Sequence, residues 1–219
     1  IWNMVQQGVF GDPYYAECSY IHDCNSLRFN PDGSLTWRGE NMRKGFGNIY
    51  PTHALGPVCK WMDINKTDRL ASLVSMDSIP GGLNAYAVKK FGADSPQAKT
   101  EWACGGMNVT LIKTEKGKTI TVYYDATSPR PMSIFYLVQG TKGVFDSREG
   151  INIQDKSPAE EWEKWQKYEA EYGHAYWKER GEEAQKTGHG GGDYFSISDF
   201  VQMIRTDTEP MIDVFDSAV

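Results

Sequence analysis

Short runs rich in β-branched and aromatic residues, each bounded by turn residues, predict strands at residues 14–20 and 70–77. Residues 107–114 and 118–127 read as a hairpin around Glu115-Lys116-Gly117, and 132–139 with 143–146 as a second around Gly140-Thr141-Lys142. A further strand is expected at 151–154. Apolar positions recurring every three to four residues predict helices instead at 52–62, 82–91, 159–172 and 193–205. In the last of these, Phe195, Phe200, Val201 and Ile204 make an apolar stripe. Strands that follow one another through short turns pair antiparallel. The expected class is therefore α+β, one open, mostly antiparallel β-sheet with helices on one face. Asn30-Pro31-Asp32-Gly33-Ser34 is the clearest loop, and no segment repeats.

Composition narrows the function classes more than the fold. A chain of 219 residues with 40% apolar content can bury one sizeable core, so a single domain over 1–219 is expected. The net charge of −6 argues against nucleic acid or an anionic membrane as partner, and no apolar run is long enough to cross a bilayer. Cys18, Cys24, Cys59 and Cys104 form no Cys-x-x-Cys pair, so no zinc site is expected. The many Trp and Tyr residues suit a carbohydrate-facing surface and an ordinary core equally.

Candidate chemistry concentrates in Asn48-Ile49-Tyr50-Pro51-Thr52-His53-Ala54-Leu55-Gly56-Pro57. Pro51 biases Tyr50 toward an extended conformation, and Thr52 is the expected N-cap of the helix that follows. His53 then sits in the first helical turn. There the helix dipole disfavours added positive charge, and the imidazole stays a neutral proton acceptor near pH 7. A packed or capping histidine is the bland alternative. The second run, Gly188-His189-Gly190-Gly191-Gly192-Asp193, places bare backbone before a helix start, which suits a hydroxyl-rich or anionic ligand, or a simple hinge. It fits neither a dinucleotide fingerprint nor a phosphate loop. Trp162, Trp165 and Tyr168 are expected to fix an amphipathic helix against the sheet or another subunit, rather than to stack on sugar. His22 is expected to pair with Asp23. Tyr20, at the end of the first strand, is the better site candidate.

Taken together, these runs resemble one family. Trp37-Arg38-Gly39-Glu40, Tyr50-Pro51-Thr52-His53-Ala54-Leu55-Gly56-Pro57, Leu73-Val74-Ser75-Met76, Gln139-Gly140-Thr141-Lys142-Gly143, the glycine-rich run and Ile212-Asp213-Val214-Phe215-Asp216-Ser217-Ala218 occur in this order in glycoside hydrolase family 109, a branch of the Gfo/Idh/MocA oxidoreductases. The resemblance covers essentially the whole chain. It implies a substrate-binding and catalytic C-terminal domain whose partner, an N-terminal Rossmann domain, is absent from this chain: no Gly-x-Gly-x-x-Gly is present, and Ile1 to Gly11 look like the helix following such a domain. NAD would be bound mainly by that absent domain, and the fragment alone is expected to be inactive.

The best known activity of the family is NAD-dependent α-N-acetylgalactosaminidase. The resemblance implies hydride removal at C3 of a sugar, loss of the C2 proton with elimination of the aglycone, hydration, and return of the hydride. By motif position the implied catalytic residues are His53, Tyr50 and Tyr20, with Arg38, His189 and Asp193 binding substrate. His53 would be the base for the C3 hydroxyl. Tyr20 or Tyr50, its pKa lowered by a nearby cation such as Arg38, would take the C2 proton. Tyr20 matches less closely, because the loop between it and Arg38 is shorter here than in some members. Ile49 stands where the wider superfamily carries Asp four residues before the histidine, which favours the glycosidase-like branch. A sugar dehydrogenase releasing oxidised product and a noncatalytic carbohydrate-binding or oligomerisation domain remain alternatives. The uncovered sheet face could support a homo-oligomer. Relatives are often exported in bacteria, which implies a bacterial protein with the periplasm as one destination.

Overall fold

The computed structural model describes residues 1–210 and 213–217; Ile212 and Ala218 of the last motif lie outside the described residues. Helix α1 (Trp2–Gln6) leads into β1 (Pro13–Ile21), followed by α2 (Trp37–Lys44) and α3 (Thr52–Trp61). Then come β2 (Leu70–Asp77), α4 (Gly82–Phe91) and β3 (Asn108–Thr114). Strands β4 (Thr119–Asp125), β5 (Tyr136–Gly140), β6 (Gly143–Asp146) and β7 (Gly150–Ile153) complete the sheet. The last part of the chain is helical: α5 (Glu169–Tyr172), α6 (Ala175–Ala184), α7 (Gly192–Thr206) and α8 (Val214–Ser217).

The seven strands lie in the order β2-β3-β4-β1-β5-β6-β7. Both predicted hairpins form: Ile112 opposes Ile120 across β3 and β4, and Val138 opposes Phe145 across β5 and β6. The exception to antiparallel pairing is central. β1 runs parallel to β4, with Tyr20 opposite Tyr124, because a long stretch of chain separates the two strands and lets the second return in the same sense.

Strand β3 alternates strictly between buried and exposed positions, so one face of the sheet is packed and the other is not. Ala16, Cys18, Ile112, Ile120, Val122 and Val138 line the packed face beneath Val58 and Cys59 of α3. Farther along the same face, Tyr124 packs with Met42 of α2 and with Leu83 and Ala87 of α4. On the opposite face Val74, Met76, Val109 and Leu111 are exposed. The four cysteines are buried and unpaired.

Three expectations are corrected. Residues 159–172 are not one helix: Glu163 exchanges both backbone hydrogen bonds with Ile151 (2.8 and 2.9 Å), extending the sheet edge, and Glu160 takes a left-handed φ of +62°. Helical geometry begins only with a 3-10 turn at Trp165–Tyr168, and Tyr168 and Tyr172 then enter the core while Trp162 and Trp165 remain exposed. The stripe on α7 is also not a buried one, for Phe195 alone packs inside and Phe200, Val201 and Ile204 are exposed. Finally, Thr52 is the first residue of α3 rather than its cap. Pro51 occupies the cap position, with no side-chain hydrogen bond.

Candidate functional site

Three elements converge where β1 ends. The strand delivers Tyr20, the extended residues before α3 deliver Tyr50, and the first turn of α3 delivers His53. The Tyr20 ring meets His53 edge-on with centroids 4.8 Å apart, and meets Tyr50 in the same manner at 5.1 Å. Tyr50 and His53 lie 5.9 Å apart. Backbone bonds set this geometry: Asn48 Oδ1 accepts from the Tyr50 amide at 2.9 Å, and the Tyr136 hydroxyl donates to the His53 carbonyl at 2.9 Å. Beside the three rings lies a pocket of about 100 Å³ whose wall includes Tyr20, Tyr50, Arg38, Arg28, Cys24 and Tyr124.

The glycine-rich run comes to the same neighbourhood. His189, Gly190 and Gly191 take φ of +51°, +61° and +96°, and the chain turns sharply into α7. A Cβ at Gly191 would stand 2.9 Å from Trp177 and 3.1 Å from the backbone of Ala184, so close packing as well as conformation requires glycine. The turn brings His189 Nδ1 within 2.9 Å of the Asp193 carboxylate. The glycine-rich run thus presents a paired imidazole and carboxylate, both solvent-facing.

Two electrostatic effects define what the groups can do. Partial burial, and secondarily the charge of a protonated His189, hold the His53 pKa below the ordinary 6.5, which favours the neutral imidazole. Replacing His189 with alanine is accordingly expected to raise the His53 pKa. A pH titration of the His53 ring by NMR checks this, and an unchanged midpoint would place the two imidazoles out of electrostatic contact.

Tyr20 departs from expectation. Its phenol is not lowered but pushed up to about 12, by burial first and by Cys24 next; Arg28 opposes this only weakly. The Arg38 guanidinium lies instead over the Trp37 ring, 4.2 Å from its centroid. Tyr20 therefore keeps its proton at neutral pH. His22 also differs from its expected role: its Nδ1 meets the backbone carbonyl of Asp23 at 3.0 Å, while the Asp23 carboxylate accepts from Asn25.

Arg28, Cys24 and Tyr124 line the pocket but were not legible as site residues. The one local signal was an arginine set between Leu27 and Phe29. Among the described residues no group of three or more His, Cys, Asp or Glu could hold a metal ion.

Comparison with known proteins places the chain as a whole. The model for the glycosyl hydrolase 109 C-terminal domain matches residues 1–219. A glycosyl hydrolase family 109 protein from Solibacter usitatus is 38% identical over 219 residues, spanning 100% of this chain and 50% of its own length. Another from Shewanella pealeana is 39% identical over 223 residues, covering 99% of this chain and 49% of the relative. The chain thus spans about half the length of the curated relatives it matches. Among solved structures, an oxidoreductase domain protein from Kribbella flavida superposes with a TM-score of 0.55 at 16% identity, covering 96% of this chain and 54% of that one. A probable dehydrogenase from Thermotoga maritima gives 0.55 at 10% identity, covering 98% and 53%. These likenesses establish the fold.

Proposed function

Since the chain belongs to the glycosyl hydrolase 109 family, as its C-terminal domain, we propose that it supplies the substrate-binding wall and the acid–base groups of an NAD-dependent enzyme that opens glycosides through hydride transfer at C3 of the sugar. The observation that carries this reading is His53: a neutral-leaning imidazole at a helix start, held edge-on to Tyr20 and within electrostatic reach of His189, which pairs with Asp193.

NAD would supply the hydride acceptor. This chain has no dinucleotide fingerprint, but His53 and Tyr50 are exposed beside the pocket, leaving an open side that a nucleotide-bearing wall can close. In this reading His53 accepts the C3 hydroxyl proton as hydride leaves. Of the two phenols, Tyr20 stays protonated and donates to a sugar oxygen, which leaves Tyr50, after giving up its own proton to solvent, to take the C2 proton as a phenolate once the neighbouring carbon is a ketone. Arg38, His189 and Asp193 hold sugar hydroxyls, where a missing partner is costly and identity is therefore selected. A second copy of the chain packing on the exposed Val74, Met76, Val109 and Leu111 face would make the enzyme a homo-oligomer.

The test is to supply full-length protein with NAD and an aryl α-N-acetylgalactosaminide, following aglycone release and NADH together. Release without net NADH accumulation supports the glycosidase. Accumulation of NADH with no aglycone release would overturn it in favour of a sugar dehydrogenase.

A further inference from the structure

One charged side chain at the pocket is left unexplained by this chemistry. Arg28 ends a 3-10 turn (Asn25–Arg28) beneath α2, and is only 5% exposed. Buried guanidinium groups are ordinarily matched to carboxylates, because an uncompensated charge is costly to desolvate. Among the described residues no carboxylate forms an ion pair with Arg28. Its Nε is directed 2.9 Å from the Met42 thioether, a weak acceptor that carries no charge. It also hydrogen-bonds the Tyr124 hydroxyl, and Tyr20 and Cys104, both neutral, lie within reach of its charge.

Arg28 lines the same pocket as Arg38, and none of that pocket's lining residues is acidic. Two arginines therefore line a cavity whose wall holds no acidic residue. At about 100 Å³ the cavity is well below the roughly 300 Å³ at which pockets for whole small molecules begin. It has room for a substituent, not for a sugar ring. Tyr20 and Tyr50 belong both to its wall and to the ring cluster around His53, so a group seated in it can be carried by a sugar lying against that cluster.

We propose that Arg28 and Arg38 form a subsite for an oxyanion, so that the sugar taken by this protein carries an acidic substituent, a carboxylate or a sulfate ester. Guanidinium groups match both through paired N–H donors. The proposal rests on the reading that the adjoining site holds a sugar, and it adds the chemical class of that sugar.

Titration calorimetry on the full-length protein tests it with three ligands: methyl α-D-galactopyranoside, the corresponding methyl galactopyranosiduronate, and the 6-sulfate of the neutral glycoside. At least one acidic ligand is expected to bind about tenfold or more tightly than the neutral one, in line with the strength of charge-assisted hydrogen bonds. Which acid wins distinguishes carboxylate from sulfate. Arg28→Gln should bring the ratio of acidic to neutral affinity close to one, while Arg28→Lys keeps part of it. Arg38→Gln, at an exposed position on α2, should reduce the ratio as well and serves where the buried substitution prevents folding. A lost hydroxyl clamp would weaken both ligands equally and leave the ratio unchanged. Equal affinities in the unmodified protein, or an unaltered ratio in Arg28→Gln and Arg38→Gln, would overturn the proposal. If no sugar binds yet free acetate or sulfate does, and Arg28→Gln abolishes it, the oxyanion subsite stands and the sugar reading falls.

Discussion

Full-length protein carrying His53→Ala is expected to turn over glycoside about 10²- to 10⁴-fold more slowly than the unmodified protein, the contribution ordinarily made by one positioned general base. Substrate affinity should change far less, because Arg38, Tyr20, Tyr50 and the His189–Asp193 pair remain. The pH dependence gives a second check. Burial and His189 disfavour the imidazolium, so the active neutral form persists to pH values below the ordinary 6.5 of a histidine. Activity should therefore decline on the acid side only as pH falls through that lowered value, and the limb should vanish in His53→Ala. Steady-state kinetics between acid and neutral pH measures both. Turnover undiminished in the variant would remove His53 from the chemistry and shift weight to a noncatalytic carbohydrate-binding role.

The largest expected effect on stability lies away from the site, at Phe10→Ala. Phe10 is fully buried between α1 and β1. Its carbonyl accepts from the Lys142 amide at 2.9 Å, and the β5–β6 turn is shaped around it. A Cβ at Gly140 would stand 2.1 Å from the Phe10 oxygen, and one at Gly143 3.4 Å from its ring. With Gly140 packed against the Phe10 carbonyl and Gly143 against its ring, the turn has no side chain at either position to fill the void. Loss of the ring should cost about 3–5 kcal/mol. For a chain of this length that corresponds to a fall in Tm of roughly 6–20 °C, measurable by calorimetry. A change below about 1 kcal/mol would mean that the turn collapses onto the cavity after all.

How far the fold could be read in the residues depended on how local its causes were. The β3–β4 hairpin was legible because β3 alternates strictly and Gly117, at φ +87°, marks its turn. Helix α2 was not, since only Gly39 and Met42 of its eight residues are buried and no stripe results. The aromatic residues at 162–172 misled in the opposite direction. Their spacing suits a helix, yet the backbone pairing of Glu163 with Ile151, far off in sequence, decides the first half of that segment.

The same division runs through the site. Tyr50 and His53 announce themselves because Pro51 and the helix start fix their geometry within a few residues. The raised phenol of Tyr20 and the buried guanidinium of Arg28 depend on Met42 and Tyr124 arriving from two other parts of the chain, as well as on nearby Cys24. Burial of that kind has no local pattern.

The parallel contact between β1 and β4 bears on how the molecule comes into being. Tyr20 and Tyr124 stand side by side only after α2, α3, β2, α4 and β3 have all been threaded between them. Closing so long a loop is slow and is rewarded late. Backbone amides at the end of β1 should thus acquire protection from hydrogen exchange together with those of β4, and a nascent chain interrupted before β4 would own every residue of the ring cluster yet lack the surface that holds Tyr20 in place.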